Sequence, residues 1–173
     1  MILLLAGLPG TGKSAIARAV AARSGGIVLS KDGIRAALFP PKHIEYSREQ
    51  DDFVMELMLA AAAHLVRRDP KLLVILDGRT FSRRYQVDAV IRWAGKHRQS
   101  WRIAECVCPT DLAIARIKKD RAAKKHPAKN RSANLYNEVQ AQWQEVRRPK
   151  LVLDTAQSRA KCVAAVMHFL AST

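Results

Sequence analysis

Five short stretches of the chain are dominated by apolar residues: Ile2 to Ala6, Ile27 to Leu29, Leu72 to Leu76, Ile103 to Val107 and Leu151 to Leu153. Between each and the next lies at least one segment whose apolar residues recur at helical spacing. A strand with one wet face alternates apolar and polar positions, whereas runs as continuous as these need cover on both faces. The alternation of the two patterns predicts an α/β domain, a parallel sheet with helices on either side. Helical spacing predicts one helix over the alanine-rich stretch Ser14 to Arg23. A second, long helix opens at Ser47-Arg48-Glu49-Gln50, which has the pattern of a capping box. It carries Phe53, Val54, Leu57, Met58 and Leu65 at its apolar positions and stops at Asp69-Pro70. Further helices are predicted at about Arg83 to Lys96, Asp111 to Lys124, Ser132 to Val146 and Ser158 to Leu170. No repeat, low-complexity tract or linker breaks the pattern, and 173 residues make one domain, 1–173.

In an open parallel sheet the ligand lies beyond the carboxyl ends of the strands, so the residues after each apolar run should converge. After the first run comes Gly7-Leu8-Pro9-Gly10-Thr11-Gly12-Lys13-Ser14, which fits the phosphate-loop pattern G-x-x-x-x-G-K-[ST] at every constrained position. Such a loop turns successive backbone N–H groups around a triphosphate, and the following helix adds its partly positive N-terminus. Lys13 is expected on the β/γ-phosphate oxygens and Ser14 on the Mg²⁺ that bridges them, which makes ATP and Mg²⁺ the expected cofactors.

The second run is followed by Ser30, Lys31, Asp32 and Arg35. Phosphoryl transfer to an alcohol needs a carboxylate that accepts the hydroxyl proton, and Asp32 is the candidate. Asp32 also suits the cap of a helix starting near Gly33, a reading ranked below the catalytic one, and the two roles are compatible. Arg35, three residues on, would share its helical face and bind the acceptor or its phosphate. After the third run, Asp77 is positioned to approach the Mg²⁺, and Arg79, Arg83 and Arg84 follow as further substrate-binding candidates. Thr155 follows the last run next to Asp154, which reads as a turn residue rather than a metal ligand.

Charge adds a lid to this picture. Thirty Lys and Arg against fifteen Asp and Glu give a net charge of +15, a strong attraction to polyanions or phosphorylated ligands. Between Arg116 and Arg131 stand eight basic residues and one acid, Asp120. The lysines there suit a solvated helix face; Arg116 and Arg121, at the head of the segment, are read as one helix face closing over the triphosphate, in a mobile lid at about 116–131. The histidines lack the i, i+4 pairing that zinc sites use. Cys106, Cys108 and Cys162 fit neither a disulfide framework nor metal spacing and are expected to be reduced, mostly buried thiols. No apolar stretch is long enough for a membrane span. The N-terminus has no basic leader and runs straight into the phosphate loop, so a cytoplasmic location is expected.

Taken together, these motifs resemble the polynucleotide kinase and zeta-toxin branch of small phosphate-loop kinases, from Met1 to about Thr155. Asp32-x-x-Arg35 is similar to that family's general-base aspartate and acceptor-binding arginine. Asp77 with Arg84 resembles its third-strand acid and distal arginine. Cys108-Pro109-Thr110-Asp111-Leu112, then Arg116 and Arg121, looks like the entry into its arginine-bearing lid, and Leu151-Val152-Leu153-Asp154-Thr155 like its last strand and adenine-side loop. The resemblance implies a three-layer fold with a five-stranded parallel sheet in order 2-3-1-4-5, and transfer of the γ-phosphoryl group of ATP to a hydroxyl. Two departures bear on the acceptor: the lid holds the basic stretch Lys124-Lys125-His126-Pro127, and Arg79 stands where the family often has a small or amide residue. The net charge favours an anionic or polar acceptor, among nucleic-acid 5′-hydroxyl ends, nucleotides and small molecules. With aromatics at 6% there is no stacking-rich strand, so nucleic acid stays one candidate among these. The competing class is a nucleotide-switched ATPase whose basic surface holds RNA. A guanine-type switch would carry Asn or Thr before its Lys-x-Asp, and Ile117-Lys118-Lys119-Asp120 lacks it.

Overall fold

β1 (Ile2–Ala6) is fully buried along its whole length, and its side chains divide between two cores. Ile2, Leu4 and Ala6 point to one side, where they meet Val54 and Met58 of α3 (Arg48–Arg68) and Val87 and Val90 of α4 (Arg84–Lys96). Leu3 and Leu5 point to the other, against Ile16 and Val20 of α1 (Lys13–Ser24) and Val163 and Val166 of α7 (Arg159–Ala171). That two-residue period, with both faces covered, is the physical reason the strand reads as unbroken hydrophobicity. Each large side chain so buried contributes roughly 1.5–3 kcal/mol relative to exposure.

The computed structural model describes residues 1–123, 128, 130 and 132–172. The predicted Lys124-Lys125-His126-Pro127 stretch, Lys129 and Arg131 lie outside them. β1 pairs in parallel with β3 (Val74–Asp77) and β4 (Trp101–Val107). β2 (Ile27–Ser30) adds to β3 and β5 (Leu151–Asp154) to β4, giving the order β2-β3-β1-β4-β5. This is the expected three-layer phosphate-loop fold. The remaining helices are α2 (Lys31–Leu38), α5 (Thr110–Ala122) and α6 (Ala133–Ala141), with a 3-10 turn at Pro41–His43. All three cysteines are free; Cys106 and Cys162 are buried and Cys108 half-buried. Among the described residues no helix is long and apolar enough to cross a membrane.

Several boundaries move from their predicted places, among them those of β3, β4 and α6. β3 starts at Val74 rather than Leu72, because Leu72 N–H closes a turn onto the Asp69 carbonyl at 3.1 Å. β4 starts at Trp101, two residues early, paired with Ile2. α6 ends at Ala141 rather than near Val146. Just beyond it the Gln144 N–H donates to the Ser82 carbonyl at 2.9 Å and its Oε1 accepts from Arg84 N–H at 3.0 Å, so the chain is drawn off the helix axis to the start of α4.

The predicted capping box at α3 forms by half. Ser47 Oγ accepts from Gln50 N–H at 3.1 Å, but the Gln50 side chain does not return to Ser47. It is buried instead against the preceding turn, donating to the His43 carbonyl at 2.8 Å and accepting from Glu45 N–H at 3.1 Å. Gln50 thus ties the 43–46 turn, and with it Tyr46, to the start of α3. Replacing Gln50 with Ala strands both backbone groups, so urea unfolding of Gln50→Ala is expected to show a loss of about 1–3 kcal/mol.

Candidate active site

A cavity of about 640 Å³ opens at the carboxyl edge of the sheet, lined by residues that follow β1, β2, β3 and β5. Its floor is the phosphate loop. Gly7 leaves β1 with φ +135°, and a Cβ there would sit 2.3 Å from the Cys106 carbonyl of β4, so the turn tolerates no side chain. Gly7 N–H donates to the Thr80 carbonyl at 3.0 Å, tying the loop to the end of β3. Lys13, the first residue of α1, folds its ammonium back across the loop onto the carbonyls of Gly7 (2.7 Å) and Leu8 (2.8 Å). Thr11 Oγ1 also donates to the Leu8 carbonyl, at 2.8 Å. Pro9, Gly10, Gly12, Lys13 and Ser14 line the cavity. Leu8 packs the other way, against Ala113, Ile117 and Tyr136 of α5 and α6.

A second wall comes from α2 and α3. Ser30 caps α2, its Oγ accepting from Gly33 N–H, which leaves Asp32 in the first turn free of the capping role. Arg35, 2% exposed, donates to Asp32 Oδ1 at 3.3 Å and to Asp51 Oδ1, and lies over the Tyr46 ring with its guanidinium carbon 5.1 Å from the centroid. Lys31 Nζ takes the other oxygen of Asp51 at 2.8 Å. Removing one partner from a buried pair of this kind costs about 3–5 kcal/mol, because a charge is left behind without its counterion. Arg35 is therefore a structural tie between α2 and α3 as well as a lining residue. Gly78, with φ +94°, lets the end of β3 come close to this wall: a Cβ there would meet Lys31 Cβ at 3.1 Å and the backbone nitrogens of Lys31 and Asp32 at 3.2 and 3.3 Å. Burial pushes the Lys31 ammonium down from 10.5 to about 7 against the pull of Asp32, and burial likewise lowers Arg35.

Asp77 ends β3 in the same cavity, 4% exposed. Its Oδ1 is buried and has no hydrogen-bond partner. An anionic oxygen shut away without a donor is costly, and a hard cation satisfies it, so Asp77 with the Ser14 hydroxyl fits Mg²⁺. Among the described residues no three His, Cys, Asp or Glu side chains group as a metal cage. A cation here would complete its shell with phosphate oxygens and water, as Mg²⁺ does in nucleotide sites.

Arg116 on α5 also lines the cavity, and both of its terminal nitrogens engage Thr155, one at Oγ1 (3.2 Å) and one at the carbonyl (2.8 Å). Thr155 Oγ1 lies 2.9 Å from the Thr11 carbonyl and 3.1 Å from that of Val107. Arg116 is thereby latched to the phosphate loop through the turn after β5.

The other predicted arginines are not brought to the cavity. Arg121 is exposed, because five residues carry it about 140° round α5 from Arg116. Arg79 is buried, with Nη2 on Asp52 of α3 at 2.5 Å, and the cavity receives Thr80 in its place. Arg83 donates to Gln142. Arg84 lines a separate groove of about 120 Å³ beside Asp88 and Arg148. Sequence reasoning missed Tyr46 and Asp51 as cavity residues and gave Lys31 no role. Asp51, the fourth residue of α3, carries no chemical signature of its own in the sequence.

Lys31 generates a pH prediction. Between its native value of about 7 and its ordinary 10.5, the unfolded chain holds a proton that the native state has shed, so folding stability rises with pH across that window. Lys31→Met removes this term while Arg35 stays paired with Asp51. The melting temperature of wild type is expected to gain on that of the variant from pH 7 to pH 9.5, followed by circular dichroism; a constant gap would mean that Lys31 keeps its proton.

Residues 2–149 match the family model described as AAA domain. No curated protein matches the chain in sequence. In three-dimensional shape it is similar to a protein described as a kinase of Chloroflexus aurantiacus, with TM-score 0.75 and 18% identity over 99% of this chain and 96% of that one. It is similar too to the Mycobacterium tuberculosis APS kinase solved with AMPPNP and APS (TM-score 0.74, 19% identity, 99% and 97%). A gluconokinase of Sinorhizobium meliloti shares the fold at TM-score 0.61 and 16% identity, over 98% and 96%. The family match spans most of the chain, and the chain therefore belongs to the AAA domain family, within which it carries the phosphate-loop kinase fold.

Proposed function

We propose that this protein is an ATP- and Mg²⁺-dependent kinase that transfers the γ-phosphoryl group to a hydroxyl of a polar acceptor. The observation that carries the reading is a shared cavity: the phosphate loop with Lys13 and Ser14 lines one side, and Asp32 lines the other. A triphosphate held by the loop would present its terminal phosphorus toward the α2 and α3 wall. The solved APS kinase with AMPPNP, an ATP analogue, supports ATP as the nucleotide.

In this reading Asp32 accepts the proton of the acceptor hydroxyl as its oxygen bonds to the γ-phosphorus. The bond from that phosphorus to the β–γ bridging oxygen breaks, and ADP leaves with its electron pair. The Arg35 guanidinium on Asp32 Oδ1 fixes the orientation of the carboxylate. Lys13, whose carbonyl contacts keep it within the loop, turns its charge to the β/γ oxygens, and Arg116 adds a second cation from α5. Ser14 and Asp77 would hold Mg²⁺, which neutralises charge on the phosphate oxygens.

Asp32→Asn keeps the shape and the Arg35 contact but removes the proton acceptor. Label transfer from γ-labelled ATP is expected to fall by roughly 100-fold or more, with ATP affinity by calorimetry little changed. Wild-type transfer by an ATP-bound Asp32→Asn protein would remove Asp32 from this role. Label found only in inorganic phosphate from the wild type, whatever acceptor is offered, would instead favour a nucleotide switch.

A further inference from the structure

The chain's surplus of positive charge suggests an anionic acceptor, but the acceptor wall does not carry that surplus. Its two cations, Lys31 and Arg35, face two carboxylates, Asp32 and Asp51, and formal charge cancels. Both oxygens of Asp51 are occupied, one by each cation. Arg35 is 2% exposed, Lys31 6%, and Arg35 is further covered by the Tyr46 ring.

We infer that the acceptor bound at this wall is an uncharged, hydroxyl-rich small molecule rather than a phosphorylated compound or a nucleic-acid end. This rests on the kinase reading above and specifies its substrate class. Arg35 is already held by Asp32 and Asp51 and Lys31 by Asp51, so an anion placed on either cation would compete with a partly buried carboxylate and face its charge at close range. A neutral polyol asks for nothing to be displaced. Its hydroxyls can donate to the oxygen of Asp32 not engaged by Arg35 and exchange hydrogen bonds with Thr80 and Tyr46, which line the same cavity or border Arg35 there.

Among the described residues, the other cations that line the cavity or follow β3 do not supply a second anion track. Lys13, Arg18, Arg116 and Arg159 line the cavity on the phosphate-loop side, where a triphosphate would spend their charge. Arg79 is bound to Asp52, Arg83 to Gln142, and Arg84 belongs to the separate groove where Arg148 pairs with Asp88.

The test offers γ-labelled ATP with matched acceptors: glucose and glucose 6-phosphate, ribose and ribose 5-phosphate, adenosine and AMP, and a 5′-hydroxyl oligonucleotide. The expected result is label in one or more uncharged members, with kcat/KM at least about 100-fold above the charged counterpart. Preference for a charged member or the oligonucleotide would overturn the inference and leave the kinase reading standing. Label in inorganic phosphate alone throughout would end both. In a second arm, Asp51→Asn releases two cations and is expected to raise the charged-to-neutral kcat/KM ratio about 10-fold or more; an unchanged ratio would show that the ion pairs do not set acceptor charge and would overturn the inference even with a neutral substrate in hand.

Discussion

β1 is walled in by β3 and β4 and by helices on both faces, so its carboxyl end can leave the sheet only through a turn whose backbone touches its neighbours. Gly7 meets that constraint with a positive φ and no side chain, 2.3 Å being all that a Cβ would have to the Cys106 carbonyl. The rest of the site is referenced to this turn. It sets where α1 begins and hence where Lys13 and Ser14 stand, and the hydrogen bond from its N–H to the Thr80 carbonyl fixes the end of β3, which carries Asp77. Thr155 and Arg116 brace the far side of the same loop. Burial that stabilises the sheet and geometry that would bind phosphate are thus the same set of contacts.

Electrostatics divides the cavity in a way that total charge conceals. On the loop side, cations outnumber acids. At the α2 and α3 wall, cations and carboxylates are interlocked, and their value lies in holding two helices and Asp32 in register rather than in attracting charge. An excess of +15 raises the concentration of anions around the whole molecule, but selection inside a cavity depends on which charges remain unspent there.

Much of this was legible in the sequence because its signals are local. Periodicity gave the strands and helices, and the spacing from Gly7 to Ser14 gave the loop, since each depends on residues a few positions apart. Asp32 and Asp77 were found from a rule about strand ends. That rule failed at Arg79 for a definite reason: Gly78 turns the backbone, so the next side chain goes to α3 and the one after it to the cavity. Asp51 and Tyr46 escaped because their role exists only once α3 is packed beside α2, sixteen residues from Arg35 in the case of Asp51. The end of α6 was misjudged for the same cause, Gln142 and Gln144 just beyond it being captured by the start of α4, about sixty residues away.

The two sides of the cavity come from separate pieces of chain, residues 7–14 with 116 and 155 on one, residues 31–51 with Thr80 on the other. They are joined through the sheet and through the backbone hydrogen bond from Gly7 to Thr80 rather than through a shared side chain. On the proposed kinase reading, a lineage could accumulate changes along the α2 to α3 stretch, and so drift from one acceptor to another, while the phosphate-loop half is inherited intact. Diversification of this scaffold would need few coordinated substitutions, provided each new cation at that wall arrives with its carboxylate.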